Sequence, residues 1–123
     1  MMIPRILATT VALALLLVPA PARAHAFLDH SDPAVGSTVS TSPDVVHLWF
    51  TQQLEPAFSS VTVTDQSGAV VNAAPAAIDP GNRSELDVKL KQLPAGTYKV
   101  KWHVLSVDTH TTQGDYDFHV GKG

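Results

Sequence analysis

The chain has 123 residues, no cysteine and a net charge of −3 from a composition that is 15% charged. That length suits one domain of ordinary size, and the lack of cysteine excludes disulfides, thiolate metal sites and a lipid-modified cysteine anchor. The negative balance also excludes the basic surface that nucleic acid requires.

Arg5 is followed by an apolar run from Ile6 to Val18 and then by Pro19-Ala20-Pro21-Ala22-Arg23-Ala24. A basic start, a short hydrophobic segment and small residues at Ala22 and Ala24 describe a secretory signal peptide over residues 1–24. The run is shorter than the roughly 20 apolar residues of a membrane span and breaks at two prolines. Cleavage after Ala24 would expose His25; a cut after Ala26 satisfies the same small-residue rule and would discard it. Removing Arg5 and Arg23 with the leader makes the remainder, residues 25–123, more negative still. Met1 and Met2 are the only methionines, so that remainder has no sulfur and any metal site in it must use nitrogen and oxygen.

From His25 onward the hydrophobic pattern has period two and is divided by Gly, Pro, Asn and Asp clusters, which predicts a sheet protein without helices. The expected strands are Phe27 to His30, Val45 to Thr51, Ser59 to Asp65, Ala69 to Val71, Ser84 to Lys91, Gly96 to Val107 and Gly114 to Val120. Asp65-Gln66-Ser67-Gly68 suits a hairpin turn, and Leu93-Pro94-Ala95-Gly96 places turn residues before a long strand. Asn72 to Asn82, with Pro75 and Pro80, reads as a surface loop. About seven short strands in about 100 residues point to an all-β fold, an immunoglobulin-like β-sandwich. Tyr98, Val100, Trp102 and Val104 alternate with Lys99, Lys101 and His103, so the first set, Trp102 included, is expected in the core. The same alternation puts Tyr116, Phe118 and Val120 inside and Asp117 and His119 outside.

All six histidines lie in residues 25–123. His103 and His119 fall on outward strand positions, His47 is explained as a polar strand position, and His30 reads as a surface residue near the N-terminus. Asp108 and His110 differ, being two apart after a long strand, so that extended backbone would project both to one side about 7 Å apart at Cα. An N-terminal His25 would add an α-amine and an imidazole nitrogen from one residue. Together these make three nitrogens and one oxygen, a tetragonal set that suits one copper(II) ion and that tetrahedral zinc favours less.

Several segments resemble the CopC family of periplasmic copper-resistance proteins: His25-Ala26-Phe27-Leu28 with Ser31-Asp32-Pro33-Ala34-Val35-Gly36, Pro43 followed by Val45 to Phe50, and Gly96-Thr97-Tyr98-Lys99-Val100-Lys101-Trp102 with Ser106-Val107-Asp108-Thr109-His110 and Gly114. The resemblance implies an immunoglobulin-like sandwich or Greek-key β-barrel that binds copper(II) through His25, Asp108 and His110 in the periplasm and passes it to a CopD-type inner-membrane protein. No catalytic step and no membrane anchor after cleavage are implied. Where many relatives carry a glutamate two residues after the strand phenylalanine, this chain has Gln52. Two other readings compete. A copper-dependent oxygenase of the lytic polysaccharide monooxygenase kind also uses an N-terminal histidine, but Asp108 in the metal plane argues against it. A metal-free immunoglobulin-like assembly module is the other.

Overall fold

The computed structural model describes residues 25–121, so the expected leader lies outside the described part. Among these described residues, eight strands run in the order β1 (Leu28–Asp32), β2 (Thr38–Val39), β3 (Val45–Phe50), β4 (Ser60–Thr64), β5 (Ala77–Asp79), β6 (Asn82–Lys89), β7 (Gly96–Leu105) and β8 (Thr111–Val120). They form two four-stranded sheets, ordered β1-β3-β6-β5 and β2-β8-β7-β4. All neighbours are antiparallel except β2, which runs parallel to β8 at one edge. The only helical piece among the described residues is a single 3₁₀ turn, Pro56–Phe58, and no helix there is long and apolar enough to cross a membrane.

The period-two pattern builds the core directly. Val46, Leu48 and Phe50 point inward from β3, Leu86 and Val88 from β6, and Val61 and Val63 from β4; Tyr98, Val100 and Val104 of β7 and Tyr116, Phe118 and Val120 of β8 close over them. Burying each side chain of this size contributes about 1.5–3 kcal/mol relative to leaving it exposed.

The structure corrects the reading of the strands and core in four places. Asn72 to Asn82 is not all loop, because Ala77–Asp79 pairs with β6 as an edge strand. Ala69 to Val71 is not a strand but a single bridge, Val70 to Thr64, across the turn whose Gly68 has a φ of +89°. β2 is an added edge of two residues, too short for any hydrophobic period to show. Trp102 is only half-buried: it packs against the core and meets Phe50 edge-on at 5.3 Å. Its indole lies over Gly114, directly opposite on β8. A Cβ at Gly114 would come 2.6 Å from Trp102 Cζ2, so only glycine fits beneath it.

Candidate metal centre

The N-terminal segment is tied down before β1 begins. Ala26 is fully buried, and its carbonyl accepts from the Thr112 hydroxyl of β8 at 2.5 Å. The Phe27 amide donates to Thr51 Oγ1 at 2.9 Å, and the Thr51 amide returns a bond of 2.9 Å to the Phe27 carbonyl. The segment is therefore fastened to both sheets, with His25 at its outer end.

The hairpin between β7 and β8 supplies the other side. Asp108 and His110 do not sit on extended backbone as their spacing suggested. The residues from Ser106 to His110 form a tight loop in which Thr109 has a φ of +71°, the Thr109 amide donates to the Ser106 carbonyl at 2.8 Å, and the Ser106 amide donates to the His110 carbonyl at 3.0 Å. A β-branched residue in the left-handed region is strained. Ser106, fully buried, organises the turn, because its hydroxyl donates to Asp108 Oδ1 at 3.0 Å and its oxygen lies 3.3 Å from the His110 carbonyl. Alongside runs the segment after β3, held by a Leu54–Ser106 bridge and by the Val107 amide on the Gln53 carbonyl at 3.0 Å.

This folding brings His25 and His110 together, with ring centroids 4.8 Å apart and planes at 88°. Phe27 also meets the His25 ring edge-on, with centroids 5.9 Å apart. Asp108 belongs to the same loop, its carboxylate held by Ser106. The three residues do not form a closed ligand cage as they stand, since the one set of three histidine or acidic residues whose donor atoms all lie within 4.8 Å of one another, among the described residues, is His47, Glu85 and Asp87. Two imidazoles and a carboxylate at one end of the sandwich, with no sulfur among the described residues, nonetheless make a donor chemistry suited to an oxidised, nitrogen- and oxygen-preferring ion.

The remaining histidines are spread over the sheets. His103 is exposed on the outer face of β7. His119 is half-buried rather than simply solvated, and its Nδ1 lies 3.0 Å from Thr97 Oγ1 across the β7–β8 pair. His30 stacks on Trp49 at 4.3 Å and lies 2.7 Å from Asp29 Oδ2.

His47 is more than a polar strand position. Its Nδ1 lies 2.8 Å from Asp87 Oδ1 and 3.1 Å from Glu85 Oε2, while the Trp49 indole N–H donates to Glu85 Oε1 at 2.9 Å. Burial works against the His47 imidazolium, but hydrogen bonds and charge from Asp87 and Glu85 outweigh it, so its pKa is raised. Burial, then the hydrogen bond with Glu85, pushes Asp87 up to about 6. The sequence marks His47 as a polar strand position, but its partners stand about 40 residues along the chain and depend on the β3–β6 register, which no local signal in the sequence states.

Comparison with known proteins bears on the family. Residues 28–121 match the CopC domain family. The chain is 38% identical to Protein YobA of Escherichia coli (strain K12), over 79% of each protein. It is 37% identical to copper resistance protein C of Xanthomonas campestris pv. juglandis, over 94% of this chain and 96% of that one. The crystal structure of CopC from Methylosinus trichosporium OB3b superposes with a TM-score of 0.73 at 36% identity, covering 78% of this chain and 93% of that one. PcoC, a methionine-rich copper resistance protein from Escherichia coli, gives 0.72 at 34% identity over 80% of this chain and 100% of that one. With a family match across nearly all the described residues and relatives that span most of their own length, the chain belongs to the CopC domain family.

Proposed function

We propose that the mature protein holds one copper(II) ion at the end of the sandwich, through the α-amine and imidazole of His25, the imidazole of His110 and the carboxylate of Asp108, and carries or buffers it in the periplasm. The observation that supports this most is the 4.8 Å approach of the His25 and His110 rings, from opposite ends of the described chain. Copper(II) stands at the top of the divalent affinity order and accepts a planar nitrogen and oxygen set. Relatives named for copper resistance agree with that cargo.

His25 becomes a chelate only when residues 1–24 are removed, since an amide nitrogen replaces the amine otherwise. Copper(I) is a poor fit, because this chain keeps no methionine after Met2, unlike the methionine-rich PcoC. Delivery would be to a CopD-type inner-membrane protein, with the exposed Phe27 beside the site available as apolar contact surface.

Copper(II) titration of matched proteins beginning at His25 and at Ala24-His25 tests the reading. The first form binds one equivalent with a tetragonal spin-resonance spectrum, and the second loses most of that affinity while remaining folded. Equal affinity in the two forms would remove His25 as the anchor.

A further inference from the structure

We propose that His47, Glu85 and Asp87 form a second binding site, independent of the first, for a divalent ion of the zinc class on the outer face of the β1-β3-β6-β5 sheet. The donor atoms of the three side chains all lie within 4.8 Å of one another. They stand on paired central strands: His47 lies opposite Asp87, and Trp49 opposite Glu85.

A lone cross-strand ion pair does not account for the arrangement. Both carboxylates converge on the same nitrogen, His47 Nδ1, at 2.8 Å and 3.1 Å. One ring nitrogen has one proton or one lone pair and cannot serve both acids fully, whereas a metal ion accepts all three groups at once. Donors about 2.0–2.2 Å from a tetrahedral ion stand about 3.3–3.6 Å apart, so each carboxylate oxygen, at 2.8 Å and 3.1 Å from His47 Nδ1, needs to move away from that nitrogen by less than about an ångström to admit one.

Charge points the same way. Two acids two residues apart on one strand face a single imidazole, and among the described residues neither Arg83 nor Lys89, the cations of β6, makes an ion pair with Glu85 or Asp87. The Trp49 indole N–H on Glu85 Oε1 fixes that carboxylate with Oε2 on His47, as outer partners fix metal ligands. The His47 side chain is 35% exposed, which leaves the remaining coordination position to water.

Equilibrium dialysis against zinc(II) with metal analysis tests the site, in protein whose first site already carries one equivalent of copper(II), an ion zinc does not displace. The wild type takes up one zinc(II) per chain. His47→Ala and the near-isosteric Asp87→Asn, each checked by circular dichroism for an intact sheet, lose at least about tenfold in zinc affinity, and Trp49→Phe loses about tenfold. His110→Ala, studied without copper, keeps the zinc bound at His47, so loss of the copper site and loss of this one are read separately. The proposal is overturned if the wild type binds no zinc beyond what His110→Ala abolishes, or if His47→Ala and Asp87→Asn bind zinc as the wild type does.

Discussion

The end of the sandwich and the outer face of its first sheet gather donors in opposite ways. At the end, His25 comes from a segment ahead of the first strand and His110 from a hairpin loop, and the two are brought together by bonds to Ala26, Thr51 and Ser106. On the face, His47, Glu85 and Asp87 ride on two paired strands, and the β3–β6 register sets their spacing. The copper site proposed at the end, made of loop and leading segment, depends on a few anchoring bonds and, in that proposal, on removal of residues 1–24. A site made of register depends on the whole sheet and stands wherever the sheet folds.

The largest effect expected from this contrast is His110→Ala, which lowers copper(II) affinity by more than about hundredfold, beyond the loss typical of outer-shell changes. His103→Ala, on an outward strand position, leaves affinity nearly unchanged; competition titration against a copper chelator measures both. Equal losses would erase the distinction between the loop histidine and the strand histidines.

Ser106→Ala comes next. It leaves the buried surroundings of the Ser106 hydroxyl unmatched, costing about 1–3 kcal/mol in chemical denaturation, and frees Asp108, weakening copper(II) by about tenfold. The matching change on the face, Trp49→Phe, should leave copper(II) binding untouched.

The pH dependence of stability separates the regions further. The Asp87 carboxyl is raised from its ordinary 3.8 to about 6, so the folded state holds a proton that the unfolded state has released between those values. Stability from this group therefore falls as pH rises from about 4 to about 6. His47, also raised, acts in the same direction at higher pH, its contribution present below the unfolded value of 6.5 and lost as pH climbs through the folded one. Denaturation of Asp87→Asn across pH 4 to 7 should give a flatter profile than the wild type.

The smallest effect is expected at Thr109. Asparagine tolerates the left-handed region better than threonine, so Thr109→Asn should raise stability by about 1 kcal/mol or less in thermal unfolding. Copper(II) affinity should hardly change.

Much of the fold was legible because alternation is local. Val45 to Phe50 and Tyr98 to Val104 announce strand and inner face from their own residues, and Asp65-Gln66-Ser67-Gly68 announces its turn. Ala77–Asp79 and Thr38–Val39 were missed because they are edges of two or three residues whose pairing comes from their neighbours. His25, Asp108 and His110 stood out by position and spacing, yet the spacing argument assumed extended backbone where Thr109 turns the chain. Ser106 stands in the motif with Asp108 and His110, but its part in bracing the loop shows only in the fold. Glu85 and Asp87 carried no signal at all until the β3–β6 register set them beside His47.

For the proposed copper site, the clip at Ala26 and Phe27 would set the order of events in metal capture. With its first residues bonded to Thr112 on one sheet and Thr51 on the other, the segment that carries His25 has already given up much of its freedom before an ion arrives. At that proposed site, capture would order little beyond the two imidazoles and one carboxylate, so the entropic cost of assembling the chelate would fall on folding and not on binding. An ion that enters joins the two sheets at their open end, and slow amide exchange at Phe27 and Thr51 in the metal-free protein would be the trace of that earlier fastening.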